Sequence, residues 1–231
     1  MAVMLLAGSV RADELVVVLD TGTEMPMARI DHGVVTDGIH KDLAQALARA
    51  MGRKARLLAL PRKRLAHALD MGEADLLCIF MPEWMPGPFD WTRPFFPISE
   101  VLVAERGVAR PQTLQELAGK RIGTVLGYVY PELSATLGPD FIREDAASAD
   151  LVWRKLAAGR IQYAITLSSF AHYRIKLQDP PLKIHPPLPI NTYSTKCAVS
   201  RRGRVTLGQV DAAIVQIVKE NAIDNILKRY Q

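Results

Sequence analysis

The chain has 231 residues, of which 49% are hydrophobic and 23% are charged, and this balance is typical of a globular protein of one or two domains. It excludes a disordered tail. The formal net charge is +5, but the basic residues are spread along the chain apart from "RKR" at 62–64 and "RRGR" at 201–204, so we expect no nucleic-acid partner.

The first residues, "MAVMLLAGSVRADELVVVLD", predict the end of a secretory signal. A short apolar segment leads into Val10-Arg11-Ala12, which has the small-residue spacing of a signal-peptidase site, so cleavage is expected after about Ala12. No basic region precedes the apolar segment, and a buried first strand is the alternative. No other segment is apolar for long enough to span a membrane, so the mature protein is expected to be soluble.

Strand and helix patterns then alternate. "ELVVVLD" (14–20) is typical of a buried strand, and residues 39–52 have apolar side chains at helical spacing before the C-cap signal of Gly52. The scheme repeats as strand, helix and strand from 55 to 80, and as strand, helix, strand and helix from 120 to 177. Proline-rich residues 178–191 interrupt the alternation, which ends in a strand and a helical segment. The pattern predicts two α/β halves with parallel sheets covered by helices.

Seven motifs in order resemble a known family. They are "LDTGTEMPM", "TDGIHKDLAQALARAMG", "LPRKRLAHALDMGEADLL", "FDWTRPFF", "TLQELAGKRIGTVLG", "AAGRIQYAI" and "NAIDNILKRY". Together they resemble the bacterial periplasmic solute-binding proteins of the polar amino-acid type, extracellular solute-binding family 3. The resemblance implies a type II two-lobed periplasmic binding protein, in which each lobe is a mainly parallel sheet flanked by helices and two strands form the hinge. It implies a first lobe at 13–100 and 193–231 and a second lobe at 101–192.

The resemblance also implies a function. The chain would be a monomeric periplasmic receptor that closes around a small-molecule ligand and delivers it to an inner-membrane ABC permease, with no cofactor and no metal. A ligand-sensing module and a dehydratase-like enzyme on the same scaffold are the alternatives. The histidines are scattered and no HExxH, GxSxG or P-loop motif occurs, so the sequence indicates no catalytic residues.

Two departures from the family pattern bear on the ligand. Family members that bind amino acids hold the carboxylate with an arginine, which is missing from "MPEWMPGPFDW", and an aspartate that pairs with the ammonium is replaced by Leu167. Arg62 takes an aromatic position of the family, and Arg64 keeps the arginine of that motif. We therefore expect a small polar or anionic metabolite and not an ordinary α-amino acid.

Several residues are expected to contact the ligand, each with an alternative role. Asp20 ends the first strand and could cap a turn instead. Arg62 and Arg64 begin a helix and could be solvated, while Trp84 and Met81 could belong to the core. Gly127 and Tyr128 precede a possible helix at 131–137 that could receive an anion, and Ser168 could simply cap a helix.

The stretch "CIFMPEWMPGPFDWTRPFF" (78–96) is rich in proline and aromatic residues, which fits either core packing or the wall of a cleft. The resemblance favours the cleft wall. It also implies that the strands of Cys78 and Cys197 are neighbours. A disulfide is then possible, but side chains on neighbouring strands can also face opposite sides, and the sequence leaves both alternatives open.

Overall fold

The computed structural model describes residues 14–178 and 180–230, and it confirms the predicted α/β class. The predicted signal segment lies outside the described residues. The strands are β1 (Glu14–Asp20), β2 (Arg29–Asp31), β3 (Val34–Asp37), β4 (Lys54–Leu60), β5 (Leu76–Phe80), β6 (Asp90–Trp91), β7 (Phe96–Ala104), β8 (Arg121–Val125), β9 (Ile142–Ala146), β10 (Tyr163–Leu167) and β11 (Leu188–Val199). The helices are α1 (Ile39–Ala50), α2 (Arg62–Asp70), α3 (Pro131–Leu137), α4 (Ala149–Ala157), α5 (Ser168–Leu177), α6 (Leu207–Lys219) and α7 (Ala222–Arg229).

Two long strands connect the two halves of the main sheet, whose strand order is β4-β1-β5-β11-β7-β10-β8-β9. β11 pairs with β5 through residues 196–199 and with β7 through residues 188–195. β7 pairs in turn with β10 through residues 100–104. The outer pairs β1–β4 and β8–β9 are parallel, as the βαβ pattern predicts. We propose that the lobes divide at β7 and β11, at the boundaries that the sequence predicts.

Each half has its own apolar core. In the first lobe, α1 buries Leu43 and Leu47, one helical turn apart, and the C-terminal helix α6 packs Ile214 and Ile217 into the same cluster. In the second lobe, Trp153 of α4 packs with Phe170 of α5 in a separate cluster. The C-terminal helices therefore return to the first lobe, and the surface between the two cores is available for a cleft.

Some elements differ from the sequence-based expectation. The β2–β3 hairpin and β9 were not predicted, and the hairpin turns through His32 and Gly33 with φ of 50° and 81°. The end of the proline-rich segment belongs to β11, where a register shift next to Pro189 accommodates the missing N–H. The C-terminal helical pattern is divided at Asn221, whose φ of 54° cannot continue a right-handed helix.

The structure joins Cys78 and Cys197 in a disulfide. The two residues are register partners of β5 and β11, and their Cα atoms are 3.9 Å apart. Of the two alternatives that the sequence leaves open, the structure shows the bonded one. The bond links the first half of the chain to the strand that returns from the second lobe.

Candidate ligand-binding cleft

A cleft of about 130 Å³ lies between the two lobes. It begins at the carboxyl end of β1, where α/β sheets commonly bind ligands. Its walls are largely apolar, and they include Leu19, Met27, Phe80, Trp84, Ile98, Ile165 and Phe170. The ionisable residues of its lining are Asp20, Glu24, His40, Arg62, Glu100, Tyr128 and Tyr130. An apolar cleft with a few polar groups is the usual form of a small-molecule site.

Arg62 connects the lobes across this cleft. Its Nε donates a 3.0 Å hydrogen bond to the carbonyl of Gly127, and its Nη1 lies 3.7 Å from the carboxylate of Asp20. The guanidinium carbon is 5.1 Å from the ring centre of Phe80 and 4.4 Å from that of Tyr128, within cation–π range of both. The arginine of the first lobe is therefore held by partners from both lobes.

Glu24 makes a second connection between the lobes. One of its carboxylate oxygens accepts a 2.5 Å hydrogen bond from the backbone N–H of Asp150, at the start of α4, and Ser148 is a further hydrogen-bond partner. A carboxylate at a helix N-terminus is favoured by the backbone N–H groups exposed there. Burial nevertheless raises the pKa of Glu24 above its ordinary value.

His40 lies in the first turn of α1 and contributes to the cleft wall. Its side chain is buried, and this desolvation lowers its pKa to about 4. The imidazole is therefore neutral at physiological pH and adds no positive charge to the cleft.

Glu100 lies on β7, between the two lobes, and its carboxyl group is buried. The hydroxyl of Tyr193 lies 3.4 Å from one carboxylate oxygen, and the same hydroxyl donates a short hydrogen bond to Glu132. Burial, followed by the nearby charge of Glu132, raises the pKa of Glu100 to about 7. Trp84, which lines the cleft, packs edge-on against the Tyr193 ring, with the ring centres 5.1 Å apart.

The structure brings together some of the predicted site residues. Asp20, Arg62, Trp84 and Tyr128 line the cleft. Asp20 also accepts a hydrogen bond from the N–H of Gly22, so it fills its alternative role as a turn cap as well. Gly127 reaches the site through its carbonyl, which is bonded to Arg62.

Three other predicted residues, Arg64, Met81 and Ser168, are outside the lining of this cleft. Arg64 is exposed on α2, Met81 precedes the 3-10 turn that carries Trp84, and Ser168 is the first residue of α5. Their contact with a ligand stays a prediction.

Glu24, His40 and Glu100 also line the cleft and were not predicted from the sequence. Glu100 had a usable signal, because it is the one charged residue of "FPISEVLVA", a strand segment that is otherwise mostly apolar. β10 places Leu167 directly opposite Glu100, so a carboxylate lies one strand away from the position where the family resemblance led us to expect an aspartate.

The described residues have no cluster of three or more His, Cys, Asp or Glu side chains that could hold a metal ion. Within residues 14–178 and 180–230, no helix is long and apolar enough to cross a membrane.

Solved structures with the same fold are numerous. A putative binding component of an ABC transporter from Wolinella succinogenes, complexed with lysine, has a TM-score of 0.78 at 18% identity and covers 94% of both chains. An ancestral arginine-binding protein bound to arginine has a TM-score of 0.77 at 21% identity, over 94% of this chain and 97% of that one. An ancestral amino acid-binding protein, a precursor of cyclohexadienyl dehydratase, has a TM-score of 0.76 at 18% identity, over 94% and 95%.

These similarities confirm the predicted two-lobed periplasmic binding protein fold. No protein-family model and no curated protein sequence matches the chain. At such low identity the ligand must be inferred from the residues of this cleft.

Proposed function

We propose that the protein is a periplasmic solute receptor, monomeric and without cofactor, that closes around a small polar metabolite and delivers it to an inner-membrane ABC permease. The observation that carries this proposal is a largely apolar cleft between two halves of the sheet, which the long strands β7 and β11 join. Such an arrangement lets ligand binding energy drive lobe closure. The solved structures of the same fold support it, since several are binding proteins for amino acids.

The contacts across the cleft support closure as the working motion. Arg62 and Glu24 both reach from the first lobe to backbone groups of the second lobe, at Gly127 and Asp150. Backbone acceptors and donors of this kind can be exchanged for water when the lobes separate. The signal peptide expected before Asp13 would place the receptor outside the inner membrane.

One observation favours a second function, an enzyme on the same scaffold. Glu100 is a buried carboxyl group in the cleft, and its pKa of about 7 is suited to a general acid at neutral pH. One solved structure of this fold is of a precursor of a dehydratase. We favour the receptor, because the titratable neighbours of Glu100 are tyrosines of raised pKa and Glu132, and Glu132 lies outside the described lining of the cleft.

A thermal-shift screen of a metabolite library on the purified mature protein tests the proposal. A solute that binds the native state should raise the midpoint of unfolding, and saturation with it should reduce the radius of gyration measured by X-ray scattering. Mass spectrometry of the recovered solute separates the two functions. An unchanged solute supports the receptor, and conversion in proportion to protein and time would establish the enzyme instead.

A further inference from the structure

Glu100 lies in the central part of the sheet and lines the cleft. Its residue pairs with Leu167 of β10 on one side and with Asn191 of β11 on the other, so β7 is held at this point by both neighbours. The residue is only 8% exposed, yet its side chain contributes to the cleft lining. Glu100 is therefore a buried acidic residue in the wall of the space that a ligand would occupy.

The carboxyl group has no cationic partner among the described residues. No Lys, Arg or His side chain in residues 14–178 and 180–230 forms an ion pair with Glu100. Its polar contact is the Tyr193 hydroxyl, whose single proton is directed to Glu132. A buried carboxylate without a partner is costly, and this cost is relieved either by a proton or by a cation brought from outside.

The protonated and ionised forms of Glu100 are close in free energy near neutral pH. Burial and the charge of Glu132 bring the pKa of Glu100 to about 7, so the proton is only weakly held at physiological pH. Tyr130, the residue immediately before α3, has a raised pKa, and the charge of Glu100 contributes to that rise. A positively charged ligand group beside Glu100 would replace the proton and pair with the ionised carboxylate.

The charges of the cleft lining also favour a cationic ligand group. Among the residues that the structure describes, the lining has three carboxylates, Asp20, Glu24 and Glu100, and one guanidinium, that of Arg62. Asp20 is beside Arg62, and Glu24 is bonded at the start of α4. Glu100 is thus the carboxylate of the lining that a ligand cation could match.

A ligand carboxylate finds no comparable site. Arg62, the one Lys or Arg among the described residues of the cleft lining, has an aromatic ring within cation–π distance in each lobe, its Nε donates to Gly127, and the Asp20 carboxylate, 3.7 Å from its Nη1, offsets its charge. His40 is neutral because of its burial. The apolar walls, among them Ile98 and Ile165, suit a hydrocarbon body of the ligand.

We propose that Glu100 is the subsite for a positively charged nitrogen of the solute, and that the solute is a small organic amine or guanidine without a carboxylate. The proposal rests on the receptor function proposed above and gives its ligand class. It replaces the anionic ligand that Arg62 and Arg64 led us to expect from the sequence, because the charge of Arg62 is already paired with Asp20 and Arg64 is outside the cleft lining.

Calorimetry with matched probes tests the proposal. Agmatine and cadaverine are compared with arginine and lysine, which carry the same cations together with a carboxylate, and with the dianion glutarate. We expect an amine probe to bind the wild-type protein, and Glu100→Gln to weaken that binding by roughly thirtyfold or more, because a buried charge pair is lost. Glu73→Gln removes the same charge from an exposed position outside the cleft and should leave the affinity unchanged.

Proton release gives a readout that a merely structural role of Glu100 would not produce. At pH 7 an amine should displace a fraction of a proton from the wild-type protein, so the binding heat should vary with the ionisation enthalpy of the buffer, and this variation should vanish in Glu100→Gln. Urea unfolding of both proteins shows whether the variant is folded. Glutamine has almost the same shape as glutamate, and it removes a buried charge.

The outcomes separate this proposal from the receptor function. Equal affinity of an amine for wild type and a folded Glu100→Gln would overturn the assignment of Glu100. If no amine binds but glutarate or another library solute binds and compacts the protein, the ligand class is wrong and the receptor function stands. If neither the amines nor any library member binds, both proposals fail.

Discussion

Arg62 is expected to hold the two lobes together in the ligand-free protein, and Arg62→Ala tests this. Across the cleft the variant loses a hydrogen bond from a charged donor to Gly127, at 3.0 Å, and a cation–π contact with Tyr128 at 4.4 Å. A charged hydrogen bond contributes about 1.5–3 kcal/mol and a partly desolvated cation–π contact about 1 kcal/mol. The contacts of Arg62 with Asp20 and Phe80 lie within the first lobe and persist when the lobes separate.

Because Arg62 is re-solvated and still paired with Asp20 after opening, we expect a net loss of about 2 kcal/mol in the free energy that favours lobe contact. This corresponds to about a thirtyfold rise in the ratio of open to closed molecules. X-ray scattering of ligand-free protein should show a larger radius of gyration for Arg62→Ala than for wild type.

Arg64→Ala is the matched control, since Arg64 lies on the same helix, carries the same charge and is exposed. It should leave the scattering profile unchanged. Identical profiles for wild type and Arg62→Ala, or an equal expansion in Arg64→Ala, would refute the role assigned to the contacts of Arg62 with the second lobe.

Three further measurements follow from the structure. Burial raises the Glu100 pKa from 4.5 to about 7, so the folded protein holds this proton more tightly than the unfolded chain. The free energy of unfolding of wild type relative to Glu100→Gln should therefore fall by about 3 kcal/mol as pH rises from 4.5 to 7. A difference between the two proteins that does not change with pH would contradict this. Reducing the Cys78–Cys197 bond, which spans 119 residues, should lower the free energy of unfolding in urea by about 4 kcal/mol, and an unchanged midpoint would argue against the bond. Gly38→Ala would place a Cβ 2.5 Å from the Cα of Ala28, at a φ of 111°, whereas the Cβ of Gly33→Ala would enter open space, at a φ of 81°. Gly38→Ala should therefore lower the stability clearly more than Gly33→Ala. Equal losses of stability in thermal unfolding would contradict the close packing of Gly38 on Ala28.

Most of the α/β fold could be predicted from the sequence. The strand at 14–20 and the helix that begins at 39 follow from the local spacing of apolar residues. The ordered motifs, such as "AAGRIQYAI", then indicate the order of the elements along the chain. Local periodicity is a property of neighbouring residues, and it therefore survives without knowledge of the tertiary contacts. The β2–β3 hairpin was missed because its strands are short and its side chains are mostly exposed, so little apolar alternation marks them.

The roles of the cleft residues depended on the tertiary structure. Arg62 was predicted to face a ligand, but its partners Gly127 and Tyr128 come from the other lobe, at a distance along the chain that no local pattern encodes. Glu100 was not among the predicted site residues, and its importance comes from burial beside Glu132 and Tyr193. The charge state of a carboxyl group depends on solvent exclusion and on every charge within a few ångströms, and only the folded chain sets both.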